Sequence, residues 1–510
     1  LGLIIPESLT AFGVFLMRQF FYSIPDEIIE SARIEGASEF RIFWSISLPL
    51  AKTAIFALVI FHSQWVWNLL LWPLIIISSP EMRTIPQAIA LFFWCILYSI
   101  SRTISYKCTC LLTTTSDIYV FIEKFYKRYN FNWIKIIKKG LMKIIDVETI
   151  YIKEKKIEKR TDGSQDALLV KITTDSGIIG WGEVDSCPVV ASAIINAPYS
   201  HKLVDGLKNI IVGENPLEIE GLWDKMYQNT IYYGRNGAVI QAMAGIDIAL
   251  WDIKGKFLNL PIYELMGGCF VDKMRVYSSN MFQFNIEDTL DRVQIAIDTG
   301  HTAVKFGWEP FGYDEELDLK YVEEIRKKLG NNLDFMLDVG LIWDAKTTIK
   351  RAQSYEPYNL FWIEEPLHPD NYHGYGIVSD KCIQHIAAGE EECSITGFKN
   401  LIDFGNIDIV QIDVTRTGLT QAKKIAEYAN LLGKKVCNHN FTTDINTAAS
   451  LHFLCSIPNS LVMEYCQENG EISRNLCTNP VKIKDGYAHL PKEPGLGVVP
   501  NIDILEKYKA

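Results

Sequence analysis

The sequence predicts an α/β protein whose larger part is a parallel barrel, preceded by an α+β unit and, at the N-terminus, by a helical membrane segment. Three observations support this division. After Asp272, short apolar runs alternate with amphipathic helical patterns, which is typical of parallel βα units. Before them, from residue 142, alternating strand patterns are followed by helical ones. Residues 53–79 carry no formally charged side chain over 27 positions, more than the roughly 20 needed to cross a bilayer.

Charge divides the chain in the same way. The 510 residues carry 50 basic and 61 acidic side chains, but residues 1–93 sum to −2, residues 94–141 to +6 and residues 142–510 to −15. The acidic bulk argues against nucleic acid as a partner, because phosphate binding needs clustered Lys and Arg. The 11 Cys residues show no repeated Cys-x-x-Cys spacing, so we expect reduced thiols in a cytoplasmic protein rather than a zinc site.

A spaced motif precedes the hydrophobic run: Glu30-Ser31-Ala32, Gly36, Ile46 and Leu48-Pro49. It resembles the EAA loop of sugar-type ABC-transporter permeases, so residues 1–93 are identified as a C-terminal fragment of such a permease. The resemblance implies a cytoplasmic helix-turn-helix that contacts the ATPase subunit through residues 30–49, and a location in the cell membrane for this segment. The chain opens with Leu1 and has no signal-peptide pattern, so we expect it to begin inside a longer permease.

Residues 94–141 do not have the periodicity of a domain. They mix Cys, Ser, Thr, Tyr and Lys, and the resemblance to a permease stops where a last membrane helix should follow. We favour the hypothesis that this junction is out of frame or intergenic and that a separate reading frame begins at Met142. A basic linker on the cytoplasmic side is the alternative.

Charged residues end successive predicted strands of the barrel region: Lys305, Asp338, Glu364, Glu390, Asp413, His439 and Glu464. From Asp338 onward the intervals are 26, 26, 23, 26 and 25 residues, close to one βα unit each. A parallel barrel would place all seven at the rim formed by the strand carboxyl ends, where barrel enzymes have their active sites. One such residue could be a helix cap or an ion-pair partner, but the uninterrupted series favours an active site.

Three of these residues point to a metal ion. The carboxylates of Asp338, Glu364 and Glu390 would repel one another and raise one another's pKa values unless a cation lay between them. Oxygen ligands of this kind favour a hard divalent cation, most simply Mg²⁺, and Mn²⁺ also fits by ligand type.

The same region contains a set of specific motifs: Asp247-x-Ala249-Leu250-Trp251-Asp252, Glu364-Glu365-Pro366, Ala388-Gly389-Glu390 and Pro494-Gly495-Leu496-Gly497. Together they resemble the mandelate racemase/muconate lactonizing enzyme family of the enolase superfamily. The resemblance implies a modified (β/α)7β TIM-type barrel at 269–470, an α+β capping domain at 142–268, and a C-terminal tail at 471–510 that returns to the capping domain. The complete prediction is therefore α/β, plus an N-terminal α-helical transmembrane fragment.

The resemblance also implies roles for the rim residues. Asp338, Glu364 and Glu390 match the Mg²⁺ ligands, and His439 matches a catalytic base whose partner is Asp413. Glu464 matches an acid that donates a hydrogen bond to the enediolate intermediate, which requires it to stay protonated. Lys305 either contacts the substrate carboxylate or reaches the α-carbon. Two positions depart from the family pattern: Gly307 stands where a second base is common, and Gly340 where an Asn is common.

The absence of a second base at position 307 favours dehydration over the other reactions of the family. Racemisation needs a base on each face of the intermediate, and cycloisomerases of the family usually keep the Lys pair, whereas dehydration needs one proton removed and one hydroxide expelled. We therefore predict a Mg²⁺-dependent acid-sugar dehydratase that forms a 2-keto-3-deoxy acid. A racemase or epimerase of the same family, and a membrane component of a carbohydrate ABC importer, are the alternatives. We further expect a cytoplasmic enzyme domain, a homo-oligomer formed through the barrel, and substrate specificity from loops at 161–167 and 183–190.

Overall fold

The computed structural model describes Arg18, Phe21, Ile24 and residues 26–51, 142–160, 162–468 and 470–510. The chain forms two compact units, Leu1–Asn130 and Phe131–Ala510. Over the described part of the chain, no helix combines the length and the apolar character that a membrane crossing requires. The hydrophobic run at 53–79 and the junction at 94–141 lie outside the described residues, so both interpretations stay predictions.

A helix-turn-helix occupies the described part of the first unit. Helix α1 (Asp26–Ile34) ends before Gly36, whose φ of 84° lies in the left-handed region that glycine adopts without steric cost. Helix α2 (Glu39–Ile42) then continues through one π turn, Phe43–Ser47, into α3 (Leu48–Leu50). Arg33 Nε donates to Glu39 Oε1 at 2.7 Å across the turn. The local structure is therefore the one that the permease resemblance implies for residues 30–49.

The second unit begins with an antiparallel sheet of three strands, β1 (Ile144–Lys153), β2 (Asp166–Thr174) and β3 (Ile179–Val184). Five helices follow: α4 (Pro188–Asn196), α5 (Leu207–Ile211), α6 (Ile219–Asn229), α7 (Ala238–Leu258) and α8 (Ile262–Leu265). Helix α7 packs directly on β3. The two backbones lie so close that a Cβ atom at Gly182 would overlap the carbonyl oxygen of Gly245. This α+β layer supplies part of the cavity described below.

Eight parallel strands then form a closed barrel: β4 (Lys273–Met281), β5 (Ala303–Gly307), β6 (Asp334–Asp338), β7 (Trp362–Glu364), β8 (His385–Ala388), β9 (Ile409–Ile412), β10 (Lys435–Asn438) and β11 (Met463–Cys466). The helices between them are α9 (Ile286–Asp298), α10 (Glu315–Leu329), α11 (Ala345–Tyr355), α12 (Tyr372–Lys381), α13 (Ile395–Gly405), α14 (Val414–Thr417), α15 (Leu419–Leu431) and α16 (Asp444–Cys455). Strand β11 pairs with β4, and Val436 bridges to Ser460, which closes the ring. The α/β barrel prediction is confirmed.

The interior of the barrel is filled by one buried cluster with a residue from each strand or its edge: Tyr277, Ala303, Met336, Trp362, Ala387, Ile409, Cys437 and Val462. The rings of Tyr277 and Trp362 meet edge to face with centroids 5.4 Å apart. A barrel of this kind is a packed core rather than a pore. A ligand must therefore bind above this layer, at a rim.

The C-terminal segment runs from α17 (Glu471–Arg474) through the hairpin β12 (Ile483–Lys484) and β13 (Tyr487–His489) to α18 (Ile502–Tyr508). Strand β13 pairs antiparallel with β4, and the backbone N–H of Ala510 donates to Tyr151 O on β1 at 2.9 Å. The last residues thus contact the first sheet. The boundaries at residues 141, 268 and 470 stay predictions.

One buried histidine connects three segments. His452 on α16 accepts a hydrogen bond at Nδ1 from the backbone N–H of Tyr263, and its Nε2 donates to Leu496 O at 3.0 Å. These two bonds require the neutral ring. Burial accordingly lowers the pKa of His452 to about 4.

Candidate active site

The structure places five of the seven predicted rim residues at or just beyond the carboxyl ends of barrel strands, and all seven are buried. Lys305 lies within β5 and Glu464 within β11, while Asp338 and Glu364 are the last residues of β6 and β7. Glu390 follows β8 by two residues, and Asp413 and His439 come directly after β9 and β10. The register aligns Gly307 with Asp338 and Asp338 with Glu364. Parallel pairing therefore brings residues far apart in sequence to one rim.

Lys305 lies among three carboxylates. Its Nζ forms ion pairs with Glu364, with Glu464 Oε1 at 2.8 Å and with Asp338 Oδ2 at 3.8 Å. Burial alone would lower the pKa of Lys305, but these carboxylates raise it well above its ordinary value. The side chain is therefore a permanent cation at the base of the site.

His439 and Asp413 form a hydrogen-bonded pair. His439 Nδ1 lies 2.7 Å from Asp413 Oδ2, and His439 Nε2 lies 3.6 Å from Glu390 Oε2. Asp413 is itself held by the backbone N–H of Thr415 at 2.7 Å. Burial would lower the pKa of His439, but Glu390 and Asp413 raise it to about 10. A carboxylate that accepts from Nδ1 fixes the tautomer and directs Nε2 towards a reactant, so this pair can move a proton.

The neighbours of Glu464 lower its pKa. Its Oε1 accepts from the hydroxyl of Ser279 at 2.7 Å, and its Oε2 accepts from the backbone N–H of Asn440 at 2.6 Å. Burial would raise its pKa, but Lys305, His439 and these hydrogen bonds lower it to about 2. Glu464 accepts each of these hydrogen bonds, and its role as a protonated donor to the enediolate stays a prediction. Strand spacing places Glu464 at the rim but does not show how close it lies to a buried lysine.

The carboxylates carry more negative charge than the site neutralises. Burial, together with neighbouring carboxylates, raises the pKa of Glu364 to about 8 and that of Glu390 to about 7, and burial raises the pKa of Asp338 as well. Buried carboxylates in excess of their cations suit a hard divalent ion chemically, so Asp338, Glu364 and Glu390 fit Mg²⁺ as a donor set.

Their oxygen atoms do not converge as closely as those of two other sets. Over the described residues, three potential ligand atoms approach within 4.8 Å of one another in two groups: Asp185, Asp413 and His439, and Glu365, Glu390 and Glu391. The predicted trio is not one of them, because Lys305 Nζ lies between Asp338 and Glu364.

A cavity of about 170 Å³ opens above these residues. Its lining includes Lys305, Asp338, Glu390 and His439 from the predicted set, and residues that the sequence did not single out: Gly163, Asp185, Ser279, Asn280, Met281, Trp308, Glu391, Arg416 and Phe441. Gly163 and Asp185 come from the α+β layer and fall within the two loops from which specificity was expected. The cavity is therefore bounded by both parts of the second unit.

Arg416 is a cation that sequence reasoning missed. Its Nε donates to Asp185 Oδ2 at 2.9 Å and one of its terminal nitrogens donates to Glu390 O at 2.7 Å. It therefore ties the α+β layer to the rim. The available signal was its position three residues after Asp413, in the segment that follows a strand end.

Four polar residues of the α+β layer lie outside the cavity lining. Arg160 donates to Asp162 at 2.9 Å and to Glu468 at 2.8 Å, and neither Arg160 nor Asp162 lines the cavity. Tyr232 is exposed, and the hydroxyl of Tyr233 donates to Asp205 O at 2.6 Å. These residues shape the α+β layer and do not reach the site.

Gly307 cannot carry a second base in this backbone. A Cβ atom at Gly307 would lie 2.6 Å from Asp338 Oδ2 and 2.7 Å from Asp338 Cβ. Any side chain there would displace the neighbouring carboxylate. The packing of β5 against β6 therefore leaves no space for a base at this position.

Family models match three parts of the chain. Residues 144–267 match the N-terminal domain of mandelate racemase/muconate lactonizing enzymes, and residues 288–504 match the enolase C-terminal domain-like family. Residues 2–97 match the inner membrane component of binding-protein-dependent transport systems. Each of the two resemblances inferred from the sequence is thereby confirmed.

Curated relatives and solved structures agree with the family matches of residues 144–267 and 288–504. The chain is 33% identical to a D-galactonate dehydratase of Xanthomonas campestris pv. campestris, covering 67% of this chain and 90% of that protein. It is 29% identical to a D-xylonate dehydratase of Haloferax volcanii, covering 72% and 88%. The crystal structure of 3,6-anhydro-D-galactonate cycloisomerase from Zobellia galactanivorans aligns with a TM-score of 0.66 and 31% identity over 72% of this chain and 99% of that one. The chain therefore belongs to the mandelate racemase/muconate lactonizing enzyme family of the enolase superfamily.

Proposed function

We propose that this chain is an acid-sugar dehydratase that removes the proton α to a carboxylate and expels the β-hydroxyl group as water. The observation that carries the proposal is the single pair of His439 and Asp413 at the cavity, with Gly307 where a second base would stand. One base suffices for elimination, whereas inversion at the α-carbon needs a proton donor on the other face. The dehydratases among the relatives support the same reaction class.

His439 is the base in this reaction. Asp413 accepts the hydrogen on Nδ1, so the lone pair of the neutral ring is on Nε2, which faces the cavity beside Glu390. Only the neutral ring can take a proton, so with a pKa of about 10 the reactive form of His439 is a minority at neutral pH and grows as the pH rises. The C–H bond at C2 breaks, its proton moves to Nε2, and the electron pair passes to the carboxylate as an enediolate.

The same histidine then completes the elimination. As the enediolate collapses, the bond between C3 and its hydroxyl breaks, and the proton on Nε2 joins the departing hydroxide to form water. The enol that remains takes up a proton at C3 from solvent and releases its C2 hydroxyl proton to solvent, which gives the 2-keto-3-deoxy acid. Atoms and charge balance without an oxidant or a second base, because the proton taken from C2 leaves with the hydroxyl group.

Positive charge is needed where the enediolate forms. Lys305 is a buried cation with a raised pKa, and we infer that it contacts the substrate carboxylate. Mg²⁺, held by Asp338, Glu364 and Glu390, would supply further positive charge to the carboxylate as its negative charge grows. Glu464 holds Lys305 in place through its 2.8 Å contact.

Ketone detection tests the proposal. The purified protein is incubated with D-xylonate, D-gluconate and D-galactonate in the presence of Mg²⁺, and 2-keto acid formation is followed. We expect turnover of at least one acid and a fall of about 10³-fold in H439N, since positioned proton transfer contributes 10²–10⁴-fold. H385N is the control, because His385 lies at the opposite end of β8. A protein that forms no keto acid from the three acids, or an H439N variant as active as wild type, contradicts the proposal.

A second inference concerns residues 1–93. We infer that they derive from a membrane component of a carbohydrate importer and that residues 30–49 contact its ATPase subunit. The family match at 2–97 and the helix-turn-helix around Gly36 support this. Phe40 is 75% exposed on α2, so a photo-crosslinker at this position should capture an ATPase subunit. Absence of that crosslink when the subunit is present contradicts the inference.

A further inference from the structure

Trp308, the residue after β5, has an unusual backbone. Its φ of 66° lies in the left-handed region, which a bulky side chain rarely adopts and which marks strain where it occurs. The residue is half-buried and lines the same cavity as His439. The strained residue is therefore an aromatic side chain at the cavity itself.

One glycine makes room for this indole ring. A Cβ atom at Gly340 would lie 2.8 Å from Trp308 Cε3 and 3.0 Å from Trp308 Cδ2, so the ring lies directly on the Gly340 backbone beyond the end of β6. At Gly307 a side chain would strike Asp338 instead. Of the two departures from the family pattern, Gly340 therefore accommodates the indole and Gly307 accommodates the Asp338 carboxylate.

The ring and the base lie on opposite sides of the barrel mouth. Strand order around the barrel runs β4 to β11, so β6 and β10 are four strands apart in a ring of eight. Gly340, on which the indole lies, follows β6, and His439 follows β10. A substrate bound in the cavity between them has one face towards His439 and the other towards Trp308.

We propose that Trp308 is a specificity-determining residue: its indole takes the place of a second base and forms an apolar wall against the substrate face turned away from His439. This inference rests on the proposed dehydratase function. An acid sugar whose C2 hydrogen points at His439 presents its other face to the ring. The epimer with inverted C2, bound through the same carboxylate, directs that hydrogen at the indole, which accepts no proton. Trp308 thereby excludes the C2 epimer and leaves no room for a proton donor on its side.

Pairs of C2 epimers test the proposal: D-xylonate with D-lyxonate, D-gluconate with D-mannonate, and D-galactonate with D-talonate. For the pair that contains the best substrate, kcat/KM is measured for both acids, and the slower epimer is also assayed as a competitive inhibitor. We expect W308A to lower the epimer preference by about tenfold or more, since apolar pocket contacts discriminate on this scale. The slower epimer should also inhibit W308A at lower concentration than it inhibits wild type, because the wall that rejects it is gone.

Matched variants keep the result interpretable. W308F retains a ring of smaller area and should give an intermediate preference; it decides the question if W308A does not fold. W223F is the control, because Trp223 is stacked on Tyr227 in the α+β layer with centroids 5.3 Å apart and does not line the cavity; its preference should equal that of wild type. Unchanged preference and unchanged inhibition in folded W308A, or in W308F if only that variant folds, overturn the proposal for Trp308 while leaving the dehydratase function intact. A wild-type protein that dehydrates none of the six acids overturns both.

Discussion

A Cβ atom added to Gly307 would lie 2.6 Å from Asp338 Oδ2, because β5 and β6 pair these two residues in register. The contact affects both the base and the metal ligands of the proposed mechanism. It removes a second base from one side of the site, and it fixes the position of a carboxylate that we assign to the metal. Small changes at Gly307 should therefore act on catalysis through Asp338.

The variant G307A tests this relationship. Its methyl group must displace the Asp338 carboxylate, and a displacement of about 1 Å in a catalytic site can cost about 100-fold in rate. We expect kcat/KM to fall by about that factor and the Mg²⁺ concentration for half-maximal activity to rise. G221A serves as the control, since a Cβ atom at Gly221 on α6 meets nothing within 4 Å. Equal activity of G307A and G221A would show that the Asp338 position is not restricted by this contact.

The packing of Trp308 on Gly340 is measurable as a coupling energy. Gly340 and Gly330 have nearly equal φ values, 66° and 67°, but a Cβ atom meets the Trp308 ring at the first position and open space at the second. Gly330 has a ψ of −163°, which only glycine adopts readily, so G330A measures a backbone cost of about 1–3 kcal/mol without a steric contact. G340A should lose about 2 kcal/mol in urea unfolding through the ring contact, in addition to its own backbone cost, since overpacking costs 1–3 kcal/mol.

In the W308A background the cost of G340A should fall by about 2 kcal/mol, because the ring contact is gone. The backbone cost of G340A is the same with and without the indole, so it cancels in this comparison. The cost of G330A should be equal in both backgrounds to within about 0.5 kcal/mol, the limit expected for independent sites. An equal cost of G340A in both backgrounds would contradict the packing described here.

Acid stability should depend on His452. Its pKa is lowered from 6.5 to about 4 by burial, and the neutral ring makes both of its hydrogen bonds. Because the folded pKa lies below the unfolded one, its contribution is fully present above pH 6.5 and is lost as the pH falls towards 4. The loss amounts to about 3 kcal/mol at most, at 1.36 kcal/mol per pKa unit.

Urea unfolding between pH 4.5 and 7 measures this contribution. H452Q should unfold with a shallower dependence on pH than wild type, because Gln does not titrate. H489Q, which changes an exposed histidine on β13, should keep the wild-type slope. Identical slopes for H452Q and wild type would rule out His452 as the group responsible.

Much of the site could be predicted because strand spacing and parallel pairing are regular. An interval of about 25 residues between charged strand ends predicts that Asp338, Glu364, Asp413 and His439 lie at the same rim. Only the end of the strand that each residue occupies is needed for this prediction. Strand spacing carries no information about side-chain protonation, which for Glu464 depends on contacts such as that with Lys305 at 2.8 Å.

Contacts between elements that are not related by strand spacing could not be predicted. Trp308 lies on the Gly340 backbone, and in the sequence Gly340 is only a departure from a pattern. Arg416 reaches Asp185 across the boundary between the α+β layer and the barrel. Such contacts depend on how whole elements pack, which a linear pattern of apolar and charged residues does not specify.

The central claim is that one base, His439, acts on one face of an acid sugar, and a reaction in deuterated water tests it most directly. The best substrate is incubated with wild-type protein and Mg²⁺ in D₂O, and the product and the recovered substrate are examined by NMR. The account predicts a 2-keto-3-deoxy acid with one deuterium at C3, no C2 epimer in the recovered substrate, and neither product nor exchange with H439N. Recovery of the C2 epimer carrying deuterium at C2, without a keto acid, would show a racemase with two bases and contradict the account.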